Sequence, residues 1–242
     1  MPSKTKHNYF IVEERRMKGK REHYVALINN FFKKMGFWHR LQPIPHPAVD
    51  MNTIEQRINF YHLLTSVLDR NIEGDVVELG SFTGQCATLF QKILDLHGSS
   101  KPLHLFDSFE TKFTVANNII TELKRNFDKD GLKHPILHKG LFEHTMPGEL
   151  PQHIAFLHID CGFGSDIESH KKVVLFCLEH VYPKISQGGI CTFMDYHDTS
   201  IATANNSNPG VKLACDEFFA DKPETLIQLY GNQSSHAYFK KV

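Results

Sequence analysis

The stretch DVVELGSFTGQCATLF, residues 75–90, constrains the fold of this chain more than any other part of it. Val76, Val77 and Leu79 form a short apolar run of the kind that a parallel strand buries on both faces. Gly80-Ser81-Phe82-Thr83-Gly84 then turns the chain, after which Cys86, Leu89, Ile93 and Leu94 recur at helical spacing. A strand that ends in glycines and passes directly into a helix turns backbone N–H groups toward a ligand. Nucleotide-type sites at the carboxyl edge of a sheet are built in this way.

Further apolar runs repeat the plan. Pro102–Asp107 (PLHLFD), Pro135–His138, Ile154–Asp160 (IAFLHID) and Ile190–Asp195 (ICTFMD) are predicted strands. Helices are predicted near Val115–Phe127 and Glu168–His180, with a turn at Gln187-Gly188-Gly189. Leu226–Tyr230 and Ala237–Lys241 form a closing hairpin. Strand and helix alternate, so the expected fold is α/β, with a doubly wound, mainly parallel, seven-stranded sheet.

Upstream, Asp50 or Thr53 caps a helix that runs to about Asn71, with Ile54, Ile58, Tyr61, Leu64, Val67 and Leu68 as its apolar stripe. Pro43, Pro45 and Pro47 mark an extended connector before it. His23–Met35 is a further predicted helix with Tyr24, Leu27, Ile28, Phe31 and Phe32 on one face, and Phe37 and Trp38 follow it. Residues 1–49 therefore form an N-terminal arm and helical extension, a lid or a dimer contact, and residues 50–242 form the Rossmann-like domain. Its first 22 residues are polar, either a solvated arm or one that packs on a second subunit or the substrate.

Twenty-seven basic and 27 acidic residues leave no net charge, so no basic field marks a nucleic-acid partner. No apolar run reaches the length of a membrane span, and the N-terminus lacks a secretory apolar region, so a cytoplasmic protein with no membrane contact is expected. The five cysteines lack C-x-x-C spacing and are expected to be buried free thiols. The 16 histidines are scattered, without the pairing of a zinc motif.

Parallel strands share a direction, so Glu78, Asp107, Asp160 and Asp195 are expected on one rim of the sheet. Asp107 lies 23 residues after Gly84, where an acid accepts from both ribose hydroxyls of a bound nucleoside. Asp160 and Asp195, with Asp198 and His197 nearby, make an oxygen-rich site for Mg²⁺ or another divalent cation. The alternative is that Asp160 only hydrogen-bonds loop amides and Asp195 caps a turn.

With these residues assembled, the chain resembles the macrocin O-methyltransferase family, class I methyltransferases that use S-adenosylmethionine. The matching pieces are VVELGSFTG (76–84), LFDSFE (105–110), KGLFEHTMP (139–147), residues 154–160, VYPKI (181–185), Gly188-Gly189, Asp195-Tyr196 and PGVKLACDEF (209–218). The resemblance implies that Glu78, Gly80, Ser81 and Gly84 hold the methionine end of the cofactor and Asp107 and Ser108 the ribose. Gly140, Leu141 and Phe142 would take the adenine side, with Asp160 also at the cofactor. It further implies a metal held by Asp160 and by an acid pair after the fifth strand, of which this chain has Asp195 but carries Met194 in the other place. Asp198 or His197 is the expected substitute. The family's acid two residues past Asp160 is Gly162 here, leaving Asp166, or failing that His197, as the base beside Asp160.

The expected function is O-methylation of a small-molecule hydroxyl acceptor, a saccharide or secondary-metabolite-like compound, by a homodimer. Two alternatives stand beside it: a catalytically silent S-adenosylmethionine-binding protein, and an NAD-dependent oxidoreductase on a similar sheet. The glycine spacing, G-x-x-x-G, disfavours the second.

Overall fold

The computed structural model describes residues 20–41, 52–113, 115–161, 166–200, 208–231 and 235–242. Seven strands form one sheet: β1 (Asp75–Leu79), β2 (Leu103–Asp107), β3 (Ile136–Lys139), β4 (Ile154–Ile159), β5 (Ile185–Met194), β6 (Ile227–Leu229) and β7 (His236–Lys240). Their spatial order is β3-β2-β1-β4-β5-β7-β6. The first five pair in parallel, and β7 runs antiparallel between β5 and β6. Strand order reverses between β1 and β4, which opens a crevice at their carboxyl ends.

The helices described are α1 (Lys20–Lys34), α2 (Ile54–Asp69), α3 (Gln85–Leu96), α4 (Ile119–Lys129), α5 (Phe142–Glu149), α6 (Ile167–Val181) and α7 (Pro209–Phe218). They cover the sheet on both faces. On one, Phe60 and Leu64 of α2, Phe90 and Ile93 of α3 and Leu123 and Phe127 of α4 pack with Val76. On the other, Met146 of α5, Val174 and Leu178 of α6 and Ala214 of α7 pack with Val77 and Leu79. Neighbouring residues of β1 thus enter opposite cores, as a strand's two-residue period requires.

Several boundaries differ from the sequence expectation, each for a local reason. Thr53 caps α2 through a reciprocal box with Gln56, whose N–H donates to Thr53 Oγ1 at 3.1 Å. Asp50 and the three prolines before it lie outside the described residues. Asn118 caps α4, so that helix begins at Ile119 rather than near Val115. Gly188 and Gly189 do not end a helix–strand connection but lie inside β5. Pairing with β4 jumps there from Ile154↔Ile185 to Phe156↔Ile190. Helix α5 escapes a pattern reading because Pro147 and Gly148 sit within its eight residues.

Helix α1 leaves its apolar residues exposed, with Tyr24, Leu27 and Phe31 each at least half accessible and Trp38 wholly so. Among the described residues, no helix is long and apolar enough to cross a membrane. The five cysteines are unpaired; all are buried except the half-buried Cys161, which lies 3.8 Å from Cys177.

Beneath the crevice, Phe60 lies between two buried imidazoles, with ring centroids 4.9 Å from His158 and 5.4 Å from His236. Burial, reinforced by His158, pushes the His236 imidazole down to about 4. The unfolded chain takes up that proton near 6.5 and the folded one only near 4, so this group lowers stability as pH falls between those values. Urea denaturation at pH 7 and pH 4.5 should therefore show wild type losing about 2–3 kcal/mol more than His236→Gln over that interval. Equal losses in the two proteins would mean that His236 is not held neutral.

Candidate active site

The carboxyl ends of β1, β2, β4 and β5 open on a cleft of about 450 Å³. Gly80, Asp107, Ser108, Gly140, Leu141, Phe142, Asp160 and Asp195, all singled out from the sequence, line it together. A smaller recess of about 20 Å³ continues below the glycine turn, lined by Glu78, Ser81, Asn52, Cys86 and Asp160.

The floor of the cleft depends on Gly80. Its φ is +84°, and a Cβ there would stand 1.8 Å from the carbonyl oxygen of Asp160. Only glycine lets the end of β1 pass this close to the end of β4. A hydrogen bond from Asp160 N–H to Leu79 O ties these two ends, and one from Gly80 N–H to Phe106 O ties β1 to β2, both 2.8 Å. Gly84, by contrast, does not line the cleft. It caps α3 and lies against Leu123 and Phe127 of α4.

Asp107 has a second task that its position in the sequence does not reveal. One carboxylate oxygen, Oδ2, accepts from the N–H groups of Ser81 and Phe82, each at 2.8 Å, and Oδ1 accepts from Phe109 N–H at 2.7 Å. Two N–H groups of the glycine turn are therefore not free for a ligand. A carboxylate of the chain itself occupies the place where a phosphate would bind in a nucleotide-type loop.

Glu78 is buried and receives a hydrogen bond from His158 Nδ1 to Oε1 at 3.0 Å. Its other oxygen, Oε2, has no hydrogen-bond partner. Asp160 lies at the junction of the two cavities, and its carboxylate has no hydrogen-bond or ion-pair partner among the described residues. Burial, followed by the carboxylates of Asp195, Glu78 and Asp107, pushes Asp160 up to about 7 against an opposing pull from His158. Asp195 adopts a left-handed backbone, φ +58°, and its Oδ2 accepts from Asn208 Nδ2 at 2.6 Å. Asn208, Phe82 and Phe113 also line the cleft and went unnoticed in the sequence. The two phenylalanines meet edge to face at 5.0 Å, and both hold positive φ. Backbone strain of this kind collects at ligand sites.

Other candidate residues lie elsewhere. Asp166 is the N-cap of α6, accepting from the N–H groups of Glu168 and Ser169, and hydrogen bonds from Ser169 hold its carboxyl below the ordinary range. Asp198 faces Ser200 and Lys212, with its carboxyl likewise held low by Ser200. His197 is buried against Ser235 Oγ through Nδ1 and does not line the cleft. Met194 is turned toward α2, where its Sδ accepts from Gln56 Nε2 at 3.7 Å. Gly162 lies outside the described residues. Of the candidate metal ligands Asp160, Asp195 and Asp198, the first two line the cleft and are hard ligands suited to a divalent cation, whereas Met194 is not.

A family profile described as Macrocin-O-methyltransferase (TylF) matches residues 114–208, the segment that carries both Asp160 and Asp195. This chain is similar to the macrocin O-methyltransferases. It is also 25% identical over 174 residues to the 8-demethyl-8-(2,3-dimethoxy-alpha-L-rhamnosyl)-tetracenomycin-C 4'-O-methyltransferase of Streptomyces olivaceus. That match covers 63% of this chain and 64% of the relative's length. Among solved structures, the O-methyltransferase NovP superposes with a TM-score of 0.64 at 20% identity, covering 91% of this chain and 98% of its own. CalS11, a TDP-rhamnose 3'-O-methyltransferase of calicheamicin biosynthesis, does so with 0.59 at 18%, covering 94% and 97%. The chain shares the fold of these methyltransferase structures.

Two substitutions test the electrostatics. Asp107→Ala strands three N–H donors and should lower unfolding stability by about 3 kcal/mol or more. Asp107→Asn, which keeps one acceptor oxygen, should lose less; equal losses in urea denaturation would contradict the bonding described. The second concerns Asp160. Its raised pKa costs stability above about pH 7, and the cost disappears toward pH 4. In chelator-treated buffer at pH 8, Asp160→Asn should therefore be more stable than wild type, by at most about 4 kcal/mol. A gain that does not shrink as pH falls would refute this.

Proposed function

We propose that the chain is an S-adenosylmethionine-dependent O-methyltransferase acting on a hydroxyl of a sugar or natural-product-like small molecule. One observation carries the reading: Asp107, Glu143, Asp160 and Asp195 line the cleft, and no Lys, Arg or His does so among the described residues. Such a site favours a cationic ligand and opposes a pyrophosphate. With Asp107 already holding the N–H groups of the glycine turn, the same chemistry argues against the dinucleotide of an oxidoreductase.

When bound, S-adenosylmethionine supplies a methyl group on a sulfonium, a good leaving group for in-line attack by a hydroxyl oxygen. Glu78 Oε2, without a partner and adjoining the recess, is placed to accept from the ammonium of the cofactor's methionine end. The backbone of Gly80 and the hydroxyl of Ser81 border the same recess. Asp107 Oδ1, which accepts only one backbone N–H, keeps a lone pair for a ribose hydroxyl, beside Ser108. Gly140, Leu141 and Phe142, where β3 meets α5, form the adenine wall. Of Asp160, Asp166 and His197, only Asp160 faces the cleft, so Asp160 is the carboxylate that accepts the hydrogen of the acceptor hydroxyl. A divalent cation held by Asp160 and Asp195 would add Lewis-acid polarisation of that hydroxyl.

We further propose residues 1–49 as a lid or the contact of a homodimer, beside the methyltransferase domain of residues 50–242; the exposed Tyr24, Leu27 and Phe31 of α1 support the contact. The five unpaired cysteines are in keeping with a cytoplasmic setting.

Calorimetric titration of the purified protein with S-adenosylhomocysteine and, separately, with NAD tests the cofactor. Binding of the first alone is expected; binding of NAD alone would overturn the reading in favour of an oxidoreductase. Methyl transfer to a panel of glycosides then separates an enzyme from a silent binder, which would bind the nucleoside tightly and transfer nothing.

A further inference from the structure

We propose that Asn208 is the third oxygen ligand of a divalent cation held with Asp160 and Asp195, in place of the carboxylate that Met194 lacks. This rests on the methyltransferase reading of the cleft. Three features of the chain point to the assignment.

Asn208 lines the same cleft as the two aspartates. Its Nδ2 is used in the 2.6 Å bond to Asp195 Oδ2, which leaves the carbonyl oxygen Oδ1 as the atom it can offer.

Asn208 also stands at the N-cap of α7, immediately before Pro209. Asparagine there is among the best cappers of its own helix. Here its side chain makes no capping bond and is spent on the cleft instead. Packing fixes the start of this helix. A Cβ on Gly210 would meet Lys171 N at 2.9 Å and Ile167 O at 3.0 Å, so glycine lets the start of α7 press onto α6.

Asp160 supplies the third feature. It lines both the cleft and the recess, and its carboxylate makes no hydrogen bond or ion pair among the described residues. Two carboxylates and one neutral amide balance a doubly charged ion, and all three are hard oxygen donors of the kind that Mg²⁺ and Mn²⁺ prefer. Met194 faces α2, and Asp198 is engaged with Ser200 and Lys212. Neither completes the set.

The test uses Mn²⁺ as the probe, titrated into the full chain without cofactor and followed by the loss of the free-ion electron paramagnetic resonance signal. Wild type should bind one ion, Asn208→Ala should bind it at least tenfold more weakly, and Asn208→Asp should bind it more tightly. Affinity for S-adenosylhomocysteine, measured on each protein, reports on the fold and the nucleoside site. If Asn208→Ala and wild type bind Mn²⁺ equally, the assignment is overturned. If wild type binds S-adenosylhomocysteine but no Mn²⁺, it is overturned while the methyl-donor reading stands. If neither ligand binds, both fall. Should Asn208→Ala fail to fold, Asn208→Asp decides alone: unchanged or weaker Mn²⁺ affinity overturns the proposal.

Discussion

The carboxylate of Asp107 is the tie on which the cleft depends. It is fixed at the end of β2, and from there it gathers N–H groups from the turn after β1 (Ser81 and Phe82) and from the turn after its own strand (Phe109). Each of those donors would otherwise be a half-buried orphan, and a charged acceptor satisfies them more strongly than a neutral one. The loop therefore needs no ligand to hold its shape. An anion supplied by the chain itself also changes what the site attracts, because the positive field of the turn is already neutralised.

The remaining geometry follows from strand order. Reversal between β1 and β4 parts the connections that follow those strands, and Gly80 lets the two strand ends touch at the base of the gap. Glu78 and His158, register partners across β1 and β4, then bond to each other inside the core. One oxygen of Glu78 is fixed by this pairing and the other is left unmatched beside the recess. Buried polar groups are rarely left so. Among the described residues, Ser81 Oγ and Thr83 Oγ1 of the glycine turn are also unpaired.

Much of the fold was legible in the sequence because buried parallel strands announce themselves as apolar runs. Val76–Leu79, Leu103–Phe106 and Ile154–Ile159 are such runs, and each stands where it was expected. Helix α5 was hidden by its Pro147 and Gly148, and the start of β5 by a glycine pair that elsewhere would mark a turn. The site was legible for residues at strand ends, since parallel strands carry Asp107, Asp160 and Asp195 to one edge. It was not legible for residues a few positions further on. Asp166, His197 and Asp198 are close to the site along the chain, but the turns that hold them point their side chains at Ser169, Ser235 and Ser200. Asn208 is the converse case, 13 positions from Asp195 and bonded to it. The asparagine–proline pair that opens α7 was the available signal, and it suggests a helix start before it suggests a ligand.

The acidic lining of the cleft also bears on how a catalytic cycle would end. A sulfonium donor enters with a positive charge on sulfur, and methyl transfer turns that atom into a neutral thioether. The attraction of those carboxylates that no cation neutralises would therefore fall at the moment of reaction, while the hydrogen-bonding groups of the cleft would be unchanged. The same charges that draw the donor in would thus loosen its spent form. Product inhibition would then be set mainly by the neutral contacts, and would respond less to salt than capture of the donor does.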